Sequence, residues 1–146
     1  MTIHLGTDHA GFELKEAVKL FLVEKGYEKV VDHGTFSVDP EDDYPDFIKP
    51  TAEAVARDSE SRGIIFGGSG QGEAMCANRI KGVRAAVWYG GSRDIVTLSR
   101  EHNDANVLSL GARFVSKDEA CEAIDAWLTH PFLGGKHERR IKKLDQ

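Results

Sequence analysis

The chain has 146 residues, of which 40% are hydrophobic and 29% charged, a balance that suits one compact domain spanning residues 1–146 around a single core. Its formal net charge of -5 excludes general nucleic-acid binding, which needs a broad surplus of Lys and Arg to neutralise phosphates, so any basic site is local. Only Cys76 and Cys121 occur, the amino terminus lacks a charged-then-apolar signal pattern, and no apolar run nears the ~20 residues of a membrane span. A cytoplasmic protein with reduced thiols and no membrane partner is expected, its two cysteines packing as small apolar residues.

In chain order, "TIHLGT" reads as a strand, and "GFELKEAVKLFLVEKG" as a helix with Leu14, Ala17, Val18, Phe21 and Leu22 at helical spacing before Gly26. "EKVVDHG" predicts a second strand, "FIKPTAEAVAR" a helix that tolerates Pro50 only near its start, and "RGIIFGG" a buried third strand. After the glycine loop, "EAMCANRI" predicts a short helix. "VRAAVWY", "SRDIVTLSREHN", "NVLSLGA" and "KDEACEAIDAWLTH" then alternate strand and helix, the last with Ala120, Ile124, Trp127 and Leu128 on one face. Such alternation, with continuously apolar strands, predicts a Rossmann-like α/β fold, a parallel sheet with helices on both faces. The acidic stretch "HGTFSVDPEDDYPD" is expected to be a surface loop over the sheet's carboxyl edge. The tail from about 134 to 146, set off by Gly134 and Gly135, predicts a short basic helix or arm.

Ligands of an open parallel sheet gather at the carboxyl ends of its strands, which here carry "TDHAG", "HGT", "GGSGQGE", "YGGS" and "GAR". The third loop holds Gly68, Ser69, Gly70 and Gly72 ahead of Glu73, and glycines before a helix let backbone amides approach an anion. Its spacing is neither the dinucleotide G-x-G-x-x-G nor a P-loop, which needs Lys followed by Ser or Thr. Nor is Ser69 in a G-x-S-x-G elbow, since Gln71 stands where the last Gly belongs.

Glu73 in the first helical turn would repel a bound phosphate, which makes a charge created during reaction the better fit. A carboxylate that takes a proton from carbon becomes neutral as an enediolate oxygen develops beside the amides. A plain helix-capping role for Glu73 stays open. In the tail, Lys136, His137, Arg139 and Arg140 include donors suited to phosphate, or form only a solvated basic end. His102 and Asn103 end a helix, where a histidine either caps or exchanges a proton with a sugar oxygen. Asp8 and His9 follow the first strand as a cap, or as a weak metal pair with no further ligand at suitable spacing, so no metal is expected.

"DHAG", "DYPD", "GGSGQGEAMCANR", "REHNDANVLSLGAR" and "GGKHERR" together resemble the ribose-5-phosphate isomerase B family, in order and over nearly the whole chain. The resemblance implies a three-layer α/β/α sandwich with five parallel strands and cofactor-independent isomerisation of a sugar phosphate. It also implies an active site shared across a homodimer, with tetramers in some members. One branch of the family uses a cysteine base at the place of Gly67; this sequence looks like the other, with Glu73 as the base between C1 and C2.

By the same resemblance Ser69 assists proton exchange at oxygen, the loop amides hold the enediolate, and His102 opens the ring. Asp8 and Asn103 bind hydroxyls, Tyr44 lines the site, and His9, Arg113, Lys136 and Arg140 meet the phosphate. The family commonly carries Arg where Lys136 stands, which keeps the charge without the bidentate fork. Ribose 5-phosphate is the expected substrate. Allose 6-phosphate, galactose 6-phosphate, a tetrose phosphate, and a non-catalytic sugar-phosphate or nucleotide sensor are the alternatives.

Overall fold

The computed structural model describes residues 1–146. Strands β1 (Ile3–Thr7), β2 (Val30–Asp32), β3 (Arg62–Gly67), β4 (Ala85–Trp88) and β5 (Val107–Gly111) form one parallel sheet in the order β2-β1-β3-β5-β4. Helices α1 (Phe12–Glu24), α2 (Pro45–Arg57), α3 (Gln71–Ala77), α4 (Asp94–Glu101) and α5 (Lys117–Thr129) pack around it, and α6 (Lys136–Ile141) follows in the tail. The expected three-layer α/β/α sandwich is the fold observed.

Both faces of the sheet are buried, which is why its strands read as unbroken apolar runs. Successive side chains point to opposite faces. Ile64 and Phe66 of β3 therefore join a core with Val18 and Leu22 of α1 and Ile124 and Trp127 of α5, whereas Ile65 packs with Ile48, Ala52 and Val55 of α2.

Three local features of the fold bear on the loops that leave the strands. Helix α2 begins at Pro45, two residues earlier than expected, because a proline suits the first helical position; Pro50 is then its sixth residue. Strand β2 is only three residues long, yet backbone bonds from His33 N–H to Leu5 O (2.9 Å) and from Thr35 N–H to Thr7 O (2.6 Å) continue its pairing with β1. Lys15, on the buried side of α1, is 0% exposed: its Nζ donates to both oxygens of Asp32 at 2.7 and 2.6 Å. Asp32 Oδ1 also accepts the Gly34 N–H at 3.0 Å, so this ion pair fixes the start of the loop that leaves β2.

The strand order reverses direction between β1 and β3. From β1 the chain turns into α1 on one face; from β3 it turns into α3 on the other. The two connections diverge and leave a crevice at their carboxyl ends, the usual ligand position of such sheets.

Candidate active site

The crevice contains the glycine loop. Gly70 is the amino-terminal cap of α3 at φ +77°, a left-handed turn that a side chain disfavours. Its carbonyl accepts the buried Ser109 hydroxyl at 2.6 Å and the Ala74 amide at 3.1 Å. The carbonyls of Gly67 and Gly68 accept the amides of Ala112 and Arg113, at 2.8 and 3.1 Å. With its carbonyls held from behind by β5, the loop presents the amides of Gly68, Ser69 and Gly70, none of which donates to an acceptor within the chain.

Glu73, in the first turn of α3, is only 5% exposed. Burial pushes its carboxyl above the ordinary value, its own backbone amide pulls back, and the charge of Asp8 adds to the rise. Burial thus outweighs the pull of that amide. A carboxylate with raised proton affinity is a better base toward a C–H bond.

Asp8, His9, Tyr44, Gly68, Ser69, Gly72, Glu73 and Arg113 line one cleft of about 260 Å³, with Ala10 beside them. Asp8 Oδ1 accepts the Ala10 amide at 3.0 Å, capping a 3₁₀ turn over His9–Gly11 that aims both polar residues outward from β1. Tyr44 arrives from the cap of α2, and a Cβ on Gly72 would come within 2.9 Å of its ring. Arg113 lies over Gly68, with its guanidinium carbon 3.1 Å from where a Cβ would stand there.

The other expected residues are elsewhere. His102 caps the carboxyl end of α4, and Asn103 follows it, on the approach to the amino end of β5. Glu73 stands by Gly67, at the carboxyl end of β3, opposite Gly111 at the end of β5. The two groups therefore stand toward opposite ends of β5, a strand of five residues. Lys136 and Arg140 lie on α6, whose His137 stacks on His102 with ring centroids 4.3 Å apart and planes 8° from parallel. Partial burial, followed by the charges of His102, Lys136 and Arg140, lowers the pKa of His137.

Two contributors have no sequence motif of their own. Ser109 is a buried strand residue that braces the loop, and Asp42 comes from the acidic segment after β2 to bond His9. Asp42 also brings a third ligand-type atom to Asp8 and His9, all within 4.8 Å of one another. Two of those atoms are already joined in a hydrogen bond, so the group is an Asp–His dyad, next to Arg113.

A basic carboxyl sunk beside unpaired amides, at the switch point of a parallel sheet, is the equipment of an enzyme that moves a proton between carbons next to a carbonyl. The family model described as ribose/galactose isomerase matches residues 3–144, and the chain belongs to that family. Among curated relatives, ribose-5-phosphate isomerase B of Mycolicibacterium paratuberculosis is 41% identical over 142 residues, covering 97% of this chain and 87% of the relative. Its counterpart in Escherichia coli is 40% identical, over 97% and 93% of the two chains. Among solved structures, ribose-5-phosphate isomerase B from Mycoplasma genitalium with bound ribulose-5-phosphate superposes with a TM-score of 0.93 at 40% identity, over 98% of this chain and 93% of that one. The Thermotoga maritima ribose 5-phosphate isomerase gives a TM-score of 0.92 at 42% identity, over 99% and 97%.

Proposed function

We propose that this chain interconverts ribose 5-phosphate and ribulose 5-phosphate without a cofactor, through an enediolate, with Glu73 as the shuttling base. The observation that carries the proposal is the buried Glu73 carboxyl, its proton affinity raised, beside the unpaired amides of Gly68, Ser69 and Gly70. Starting from the open-chain aldose, Glu73 takes the proton from C2 and becomes neutral. The C–H electron pair forms the C1–C2 double bond, and the carbonyl electrons move onto O1. The amides receive that developing charge as the charge on Glu73 disappears. Ser69 passes a proton between the oxygens, and Glu73 returns its proton to C1, leaving a ketone at C2.

His102 opens the furanose ring in this reading, and Asp8 and Asn103 bind hydroxyls. The position of His102 and Asn103 across the sheet from Glu73 supports a homodimer in which a second copy completes each site. Phosphate is then held by His9 and Arg113 of one chain and by Lys136 and Arg140 of the other. A tetramer would be a pair of such dimers. The unbonded cysteines Cys76 and Cys121 support a reducing compartment such as the cytoplasm.

The test is a panel of ribose 5-phosphate, allose 6-phosphate, galactose 6-phosphate and erythrose 4-phosphate, each incubated with the protein in heavy water. Ketose formation with deuterium uptake should be fastest for ribose 5-phosphate. Turnover confined to another sugar would overturn the pentose assignment, and binding without exchange would favour a sensor.

A further inference from the structure

Asp42 makes a two-point contact with His9 across 33 positions of sequence. Its Oδ1 accepts the His9 backbone amide at 3.2 Å and stands 2.6 Å from ring Nδ1. The carboxylate side chain is 9% exposed and the imidazole 26%, so the acid is the buried partner and the ring faces the cleft. With Nδ1 committed to Asp42, Nε2 is the ring nitrogen left for a ligand. The other carboxylate oxygen, Oδ2, is buried with no partner. A carboxylate held this way needs a neighbouring positive charge, because a buried ion left unpaired is costly.

We propose that Asp42 is a positioning residue of the substrate site, which holds Nδ1 of His9 so that Nε2–H donates to the anionic end of the substrate beside Arg113. This rests on the sugar-phosphate reading above and extends it by one residue. The groups facing His9 are Asp8 on its own turn, Asp42 from the loop after β2 and Arg113 from the turn after β5. The hydrogen bond to Asp42 is the largest influence and raises the pKa of His9 above its ordinary 6.5; partial burial and Arg113 oppose it, and Asp8 adds to it. An imidazolium is the better phosphate donor, since charge-assisted hydrogen bonds are roughly twice as strong as neutral ones.

The loop that holds Asp42 is itself anchored. Asp32, pinned by the buried Lys15, accepts the Gly34 amide, and the Gly34 carbonyl accepts the amide of Thr7, next to Asp8, at 2.8 Å. The acidic segment is thereby tied to the end of β1, where Asp42 meets His9.

The experiment compares the wild-type protein, Asp42→Asn, Asp42→Glu, His9→Asn and the Asp42→Asn/His9→Asn double variant between pH 5.5 and 8.5. It reads the His9 titration by NMR without substrate, the inhibition constant of inorganic phosphate, and KM and kcat for ribose 5-phosphate. In Asp42→Asn the His9 midpoint should fall below that of the wild type, because its largest raising influence is gone. KM and the phosphate constant at pH 7.5 should rise about tenfold, converge on wild type at pH 5.5, and change more than kcat. Asp42→Glu should restore part of the effect, and Asp42→Asn should add little to His9→Asn. An unchanged midpoint, or a KM raised equally at every pH, would overturn the proposal. Should Asp42→Asn fail to fold, a wild-type His9 midpoint at or below 6.5 would overturn it as well. Absence of isomerisation with phosphate binding that still follows His9 would remove the isomerase reading and leave this one standing.

Discussion

The carboxyl group of Glu73 occupies the space that a Cβ on Gly67 would fill, so position 67 can carry a side chain only if Glu73 moves away. The two residues are six positions apart in sequence and joined by the turn from β3 into α3. In the branch of the family that the sequence resembles less, a cysteine base stands at the place of Gly67. Steric exclusion explains why such a base and the glutamate are alternatives: one pocket holds one or the other.

Gly67→Ala is therefore expected to displace the Glu73 carboxyl and lower kcat about 100-fold, the scale of a 1 Å misplacement of a reacting group. In a Glu73→Gln background the same substitution should cost little more, since the two act on one position. A double-mutant cycle in kcat checks this. Strict additivity would show that Gly67 acts elsewhere.

Burial of Glu73 carries a consequence for stability. The folded state holds the proton more tightly than the unfolded one, whose ordinary value is 4.5. Between that value and the raised folded one, the native state binds more protons, so stability falls as pH rises through this window. Glu73→Gln lacks that loss. Its melting temperature should exceed that of the wild type at pH 7 to 8, with the advantage shrinking as pH falls through that window and gone below 4.5. Thermal melts across pH decide it; a constant difference at all pH values would mean that the charge of Glu73 is not the cause.

Much of this was legible in the sequence. Strands β1, β3 and β5 are unbroken apolar runs ending in glycine-rich polar segments, which mark both the parallel sheet and its functional edge. Asp42 was not legible, because its role depends on a contact between two loops that only the folded sheet makes adjacent. In "DPEDDYPD" it is one acid among several, and composition cannot tell which of them reaches His9. Lys15 was hidden for a similar reason, since a lysine on an amphipathic helix reads as solvated until Asp32 is placed beside it. The separation of His102 from Glu73 follows from strand polarity: a helix that leads into a strand ends at that strand's amino edge, away from the loops that follow the strands.

That separation gives a prediction about assembly. If each site combines Glu73 of one chain with His102 of another, mixing Glu73→Gln with His102→Ala, each poor alone on cyclic substrate, should rescue activity. Half of randomly reassorted dimers are mixed, and each mixed dimer has one intact site of two, so about a quarter of wild-type turnover should return. Sites contained within single chains would give no rescue.

The most direct test of the central claim is deuterium exchange at C2 of ribose 5-phosphate in heavy water, catalysed by Glu73→Gln. The variant keeps the shape of the side chain and removes the base. Exchange should fall by about 10³-fold or more, within the usual contribution of a general base, while the substrate still binds within a few-fold of wild type. Exchange at the wild-type rate with binding intact would contradict the assignment of Glu73 as the residue that carries the proton.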